Sequence, residues 1–446
     1  MDLGAKREVA VVFSFRSPGR YALTTLTGAI EGADDLRSVT VVHPRNTAEV
    51  IACIGEQLDL GREVIAGWSF YSPSFPECAD ELREVRAAEK RAFLAVAGGV
   101  HATAEPRQTL DAGFDLVCVG EGERVILEAI RAVRDGRPPS TIPGCARLET
   151  GAGDVVKQEA RPPRIELDQF PPFAPRHEYF GPIEITRGCI YACRFCQTPY
   201  FSKARFRHRS VENTAHWVST MREAGKRDLR FVSPTSLSYG SQDESVHLDA
   251  VEALLARSKE ALGPEGRVYF GTFPSEVRPE HVTPEALALI KKYCANDNLV
   301  IGGQSGSDRV LQASMRGHDV SAIIHAVKIS LAHGFVPNVD FILGLPGEAV
   351  DDLRASVNVM RQLGELGARV HAHTFMPLPG TPFRDAAPGQ VDDETREELD
   401  RLASQKLLYG QWKLQERVAA EMAERRDQSA RGYGSAVTVV SPSDDA

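Results

Sequence analysis

The chain of 446 residues has no apolar run approaching the ~18 consecutive residues that a membrane-spanning helix needs. It has no excess of positive charge: 52 Lys and Arg against 61 Asp and Glu leave a formal net charge of −9. That balance advertises neither a nucleic-acid nor a membrane-surface partner, so neither is expected. The start, Met1–Ala10, lacks the charged-then-apolar order of a secretory signal and runs directly into a β-rich stretch. The expected location is therefore the cytoplasm. Cysteine is scarce at eight residues, and a disulfide framework is not expected in a long acidic chain without such a signal. Internal repeats and low-complexity tracts are absent. What remains, 42% hydrophobic and 25% charged, is ordinary globular composition, long enough for about two to three domains.

Short β-branched runs alternate with helical patterns through the first third. Val9–Phe13, Val39–His43, Val64–Ser69, Ala92–Ala97 and Leu116–Val119 read as strands, separated by helices that include Tyr21–Glu31, Cys78–Glu89 and Gly122–Arg134. Such alternation predicts a parallel sheet covered on both faces, an α/β doubly wound domain of the flavodoxin-like class over 1–145. Ligands on these sheets sit beyond the carboxyl ends of the strands, here Ser69–Ser72, Gly98–Thr103 and Gly120–Gly122. Residues 146–178 read as a linker, with a hairpin around Gly151–Asp154 and a Pro-rich stretch, Arg161–Pro175. From Gly181 the alternation restarts and gives about six βα units over 179–388, a partial (β/α)6 barrel. Residues 389–428 read as one long helical pattern broken at most once, and 429–446 as a disordered tail.

Three of the eight cysteines stand together: Cys189-Ile-Tyr-Ala-Cys193-Arg-Phe-Cys196, directly after an expected strand. Three thiolates on one short loop can hold three irons of a [4Fe–4S] cluster and leave the fourth open for a ligand. The competing reading is a structural zinc, which wants four ligands in two separated pairs. Cys145 and Cys294, the nearest further candidates, are remote in sequence.

The stretch Ile185-Thr-Arg-Gly-Cys189 through Phe195-Cys196 resembles the signature of the radical S-adenosylmethionine (radical SAM) enzymes. Further stretches resemble the same family in the same order: Gly302–Leu311 with Met315–His318, Asp340–Glu348, and Phe375–Phe383. The resemblance implies that Cys189, Cys193 and Cys196 hold the cluster, and that Phe195, Gln304, Ser305 and Ile342 border the bound cofactor. Ser275, Glu276 and Arg278 would point to the barrel mouth, where the first two are candidates for the same ligand. Arg205-x-Arg207-His-Arg209 is the basic cluster nearest this site.

The N-terminal third resembles the cobalamin-binding domain that precedes such barrels, on Ala97–Thr103, Gly113–Asp115 and Val119–Glu123. This implies Ser69, Gly98, Gly99, His101, Gly120 and Glu121 as its cofactor-facing residues, Gly98 and Gly99 letting the backbone approach a large flat ring. The Asp-x-His-x-x-Gly motif that supplies a cobalt-ligating histidine elsewhere is absent, so cobalamin would bind without a protein imidazole. Gly67–Tyr71, Phe270–Pro279 and His371–Pro377 resemble one subgroup without an assigned reaction. The implied activity is cobalamin-dependent methylation of an unactivated carbon on a small-molecule substrate, with an electron donor such as a flavodoxin or ferredoxin. The alternatives are other radical SAM chemistry, methylthiolation or rearrangement, and a non-enzymatic sensor. Methylthiolation needs a second cluster, for which only Cys53, Cys78 and Cys118 are on offer, and these read as small buried residues of helices and a strand.

Overall fold

The computed structural model describes residues 6–138, 142–149, 155–160, 164–432 and 437–440. The chain divides into two compact units: Met1–Ile165 with Gln169–Gly181 and Gln428–Ala446, and Glu166–Asp168 with Pro182–Asp427.

The first unit is built on one sheet. Its parallel part runs through β1 (Val9–Phe13), β2 (Thr40–Val42), β3 (Glu63–Ser69), β4 (Leu94–Gly98) and β5 (Leu116–Cys118), in the spatial order 2-1-3-4-5. This is the flavodoxin-like order, with its switch point between β1 and β3. The connecting helices are α1 (Arg20–Gly32), α2 (Thr47–Asp59), α3 (Phe75–Ala88), α4 (Val100–Ala104), α5 (Pro106–Asp111) and α6 (Gly122–Arg134). Period-two alternation feeds two cores. Val12, Val64, Ala66 and Trp68 meet Val50, Ile54, Leu82 and Val85 of α2 and α3. Val9, Val11, Phe13 and Ile65 meet Leu23, Ile30, Val125 and Ile130 of α1 and α6. Each fully buried side chain of this size contributes about 1.5–3 kcal/mol, so the doubly wound form follows from strands apolar on both faces.

Two further strands extend the sheet. β6 (Cys145–Glu149) pairs antiparallel with β5, and β7 (Val155–Glu159) antiparallel with β6. This is the expected hairpin, although its turn lies outside the described residues, as does part of the Pro-rich stretch. The assignment of 429–446 to a disordered tail is corrected at two places: the last helix runs on to Gly432, and Val437–Val440 pairs in parallel with β7. A Val-Thr-Val-Val run has the β-branched character of a strand, and the edge of β7 offers unpaired backbone groups.

The second unit opens with β8 (Ile183–Glu184), β9 (Thr186–Arg187), α7 (Gln197–Ser202) and β10 (Arg207–His208). Then follow α8 (Val211–Glu223), β11 (Asp228–Val232), α9 (Leu248–Leu262), β12 (Arg267–Tyr269), α10 (Pro284–Tyr293) and β13 (Asn298–Gln304). The series continues with α11 (Asp308–Ala313), α12 (Val320–Ala332), β14 (Val336–Leu343), α13 (Val350–Leu366) and β15 (Arg369–Thr374). Strands β8, β11 and β12 form one parallel ladder and β13, β14 and β15 another. Val277 joins them through a parallel bridge to Ile301. Six parallel strands in sequence order make the partial barrel. The expected strand Val268–Phe273 ends early at Tyr269, because Gly271 turns the chain with φ +68°.

The C-terminal helical region is two helices, α14 (Asp393–Ser404) and α15 (Trp412–Gly432), with a short strand β16 (Leu408–Tyr409) between them. Strand β16 pairs in parallel with β15. Gly410 permits that close approach: its φ is +129°, and a Cβ there would stand 2.2 Å from the Ala372 carbonyl oxygen. A strand of two residues carries no periodicity, so the pattern alone merges it into helix.

Candidate metal centre and cofactor site

Cys189, Cys193 and Cys196 follow β9 on a loop pinned from several sides. Gly188 has φ +87° and packs so tightly that a Cβ would lie 2.1 Å from the Arg205 carbonyl oxygen. The Cys189 N–H donates to Ser202 Oγ (3.2 Å), the Cys196 N–H to the Cys193 carbonyl (3.1 Å) and the Arg194 N–H to the Ser314 carbonyl (3.1 Å). The Gln197 amide donates to the Pro379 carbonyl at 2.8 Å, tying the loop to the segment after β15. Burial pushes the Cys189 thiol up to about 12 and raises that of Cys196 as well. Such thiols give up their protons when a metal takes their place.

Beside the loop, Gly302 forms the floor of a polar cradle. A Cβ at Gly302 would stand 2.9 Å from Gln304 Nε2, 3.0 Å from Glu276 Oε2 and 3.2 Å from Arg316 Nη2. A bulge in β13 between Gly302 and Gln304 creates this arrangement, and Gln304 sits at φ +76°. Burial pushes the Glu276 carboxyl up to about 7, with the Arg316 charge pulling against it and Asp340 adding to it. Phe195 and Ile342 meet in one apolar cluster with Val310, Leu345, Phe375 and Phe383. Four of the residues singled out in the sequence are thus gathered by the barrel around the cysteine loop.

Other expectations need correction. The Ser275 hydroxyl is spent within the fold: it donates to the Phe231 carbonyl (2.7 Å) and accepts the Ser233 N–H (3.0 Å). Ser305 is fully buried, its hydroxyl 3.3 Å from that of Ser356 and accepting the Ser307 N–H. Arg278 does not point to the mouth. It is 2% exposed, pairs with Glu280, and stacks its guanidinium 3.6 Å over the Tyr191 ring, so it braces the cysteine loop. The basic cluster is not one patch, since Arg209 is buried and donates to the Glu184 carbonyl and Asn213.

In the first unit, a cavity of about 290 Å³ lies at the ends of β1 and β3, the switch point. Ser69 lines it with Ser14, Arg16, Arg20 and Arg45. Beneath it, buried Glu81 accepts hydrogen bonds from Ser14 Oγ (2.6 Å), Trp68 Nε1 (2.8 Å) and Arg16 Nη2 (2.8 Å). Gly98 is open, its nearest neighbours 3.9 Å from a built Cβ, and a Cβ on Gly120 would meet nothing within 4 Å. Gly99 differs: with φ +95°, its Cβ would strike the Phe70 carbonyl oxygen at 2.6 Å, so the turn itself requires glycine. His101 is not on a loop. It sits on α4, buried, with Nδ1 3.1 Å from Ser72 Oγ and its ring stacked on Phe75 at 4.3 Å, which corrects its reading as cofactor-facing. The Glu121 carboxylate accepts the Ile165 N–H at 3.0 Å.

Residues 183–360 match the family model of the radical SAM superfamily. The second unit carries a radical SAM domain. A tRNA-2-methylthio-N(6)-dimethylallyladenosine synthase from Sulfurihydrogenibium is 29% identical over 241 residues, covering 53% of this chain and 52% of that protein. The chain spans about half the length of the curated relatives it matches. Among solved structures, the radical S-adenosylmethionine methyltransferase TsrM from Kitasatospora setae superposes with TM-score 0.65 at 18% identity, covering 86% of this chain and 78% of TsrM. The cobalamin-dependent S-adenosylmethionine radical enzyme OxsB superposes with TM-score 0.64 at 17% identity, covering 95% of this chain and 57% of OxsB. At these identities the likeness is one of fold, and it extends over both units.

Two features of the radical SAM domain escaped the sequence. Arg316, inside the quoted stretch Met315–His318, donates from Nη1 to Cys193 Sγ at 3.4 Å and from Nη2 to the Gly302 carbonyl at 2.6 Å. The second is a cluster of Asp340, His371 and His373, which β14 and β15 bring together in register. His371 Nδ1 lies 3.0 Å from Asp340 Oδ1 and 3.1 Å from His373 Nε2. Gln415 fixes the tautomer of His373. Its Oε1 accepts the Thr374 N–H, so its Nε2 donates to His373 Nδ1. Burial keeps His373 neutral, and its one proton then lies on Nε2, facing His371. A metal held through that nitrogen would need the opposite tautomer.

Proposed function

We propose that the chain is a radical SAM enzyme that binds a [4Fe–4S] cluster through Cys189, Cys193 and Cys196 together with S-adenosylmethionine, and performs cobalamin-dependent methylation of an unactivated carbon. The carrying observation is the three-cysteine loop set against the Gly302 cradle. A [4Fe–4S] cluster supplies the electron that cleaves S-adenosylmethionine to a 5′-deoxyadenosyl radical, and methylcobalamin supplies a methyl group. Glu276, Gln304 and Arg316 offer acceptors and donors for polar groups of S-adenosylmethionine, while Phe195 and Ile342 offer an apolar border. The open faces of Gly98 and Gly120 leave room for a corrin to approach the strand ends without a protein imidazole. A one-electron donor of the flavodoxin or ferredoxin class would serve the cluster, and the substrate is read as a small molecule.

The curated relatives support a second reading, methylthiolation of tRNA, which needs a second cluster. Cys78 lies in one core of the first unit with Cys53 packed against it, whereas Cys118 lies in the core on the other face of the sheet. A sheet separates the three, which favours the first reading. The deciding experiment is anaerobic reconstitution with iron, sulfide and hydroxocobalamin, followed by iron and cobalt analysis. One cluster and one retained cobalamin per chain are expected. Two clusters and no cobalamin would replace this reading with the second.

A further inference from the structure

Arg316 is a buried guanidinium that forms no ion pair with a carboxylate among the described residues. Its two terminal nitrogens are taken by Cys193 Sγ and the Gly302 carbonyl, and its Nε–H meets no acceptor among the described residues. Other arginines of the same unit are neutralised: Arg278 by Glu280, Arg309 by Asp352 and Arg187 by Glu184. The carboxylates nearest Arg316 are poor substitutes. Glu280 is already shared between Arg278 and His318. Burial pushes the Glu276 carboxyl up to about 7, so near neutral pH it carries only part of a charge. A buried charge left unpaired is costly, so the site is built for an anion at Cys193.

We infer that Arg316 is a positioning residue for the iron–sulfur centre, its charge lying against the Cys193 sulfur and making the cluster easier to reduce. The inference rests on the cluster assignment of the preceding section. Reduction by an external one-electron donor adds one negative charge to the cluster and moves no proton. A fixed cation against a ligand sulfur, in a site of low dielectric, favours the more negative state. Neither the cysteine spacing nor a thiol's own burial supplies this effect.

The test is an anaerobic potentiometric titration of the full-length reconstituted protein, followed by the electron paramagnetic resonance signal of the reduced cluster. Arg316→Gln keeps an N–H donor and removes the charge, so its midpoint is expected to fall below the wild-type value at unchanged iron content. Arg316→Lys keeps the charge and is expected to stay closer to wild type. Arg209→Gln, which removes a buried arginine bonded elsewhere, is expected to leave the midpoint unmoved. An Arg316→Gln midpoint equal to wild type, with full iron, overturns the inference. So does a shift in Arg316→Lys as large as in Arg316→Gln, since the charge would then be irrelevant. Should Arg316→Gln take up no iron, Arg316→Lys is judged alone, and a midpoint well below wild type overturns the proposal. Wild-type protein that forms no cluster would instead refute the cluster assignment.

Discussion

Arg316 and Gly302 lie in close contact: the guanidinium donates from Nη2 to the Gly302 carbonyl at 2.6 Å, and the same nitrogen stands 3.2 Å from where a Gly302 side chain would begin. The glycine is therefore the empty half of a site whose other half is charge. Gly302→Ala should crowd the ends of Gln304, Glu276 and Arg316, which are flexible side chains, so the fold should survive. S-adenosylmethionine binding is expected to weaken by about tenfold, ~1.4 kcal/mol, with iron content retained. Calorimetric titration of the reconstituted variant checks this.

The cysteine loop makes a sharper prediction. Alanine at Cys189, Cys193 or Cys196 should abolish the iron–sulfur absorbance and reductive cleavage of S-adenosylmethionine. Alanine at Cys53, Cys78, Cys118, Cys145 or Cys294 should leave both largely intact. Gly188→Ala should behave like the first group with all three cysteines present, because its Cβ would collide with the Arg205 backbone. Full iron in Gly188→Ala would show that the loop bends more easily than this packing implies.

Glu276 predicts a pH dependence of stability. Its carboxyl titrates near 7 in the fold against an ordinary value of 4.5, so the folded protein holds a proton that the unfolded chain releases. That contribution is fully present below about pH 4.5 and is lost as pH rises through about 7, by on the order of 3 kcal/mol at most. Glu348, also raised to about 7 by burial, adds in the same direction. In cluster-free protein, Glu276→Gln should flatten the decline in thermal midpoint between about pH 5 and 7.5. An unchanged slope would remove Glu276 from the account.

Gly98 and Gly99 should separate ligand from fold. Gly99→Ala forces a side chain onto φ +95° and into the Phe70 backbone, and is expected to destabilise by about 1–3 kcal/mol whether or not cobalamin is present. Gly98→Val projects into open space, so it should keep the melting temperature and lose cobalamin retention. Equal retention in Gly98→Val and wild type would argue against a corrin at the end of β4.

By itself the sequence determined the local elements: five βα units with strands apolar on both faces, six further units, and the three-cysteine loop that follows a strand. Each rests on near neighbours in the chain, through periodicity, caps such as Thr283 before Pro284, and the spacing of Cys189, Cys193 and Cys196. Tertiary structure alone decided which polar residues face the site. Ser275 and Ser305 were legible as residues beyond strands, but their hydroxyls bond Phe231 and Ser356, more than forty positions away. Arg316 reaches Cys193 across 123 positions, and Asp340 meets His371 only because β14 and β15 pair in parallel in that register. Gly98 and Gly99 look alike in sequence, and only the position of the Phe70 backbone makes one open and the other obligatory. Hydrogen bonds and charges act over a few ångströms of space, and the chain order does not record which distant groups folding brings within that range.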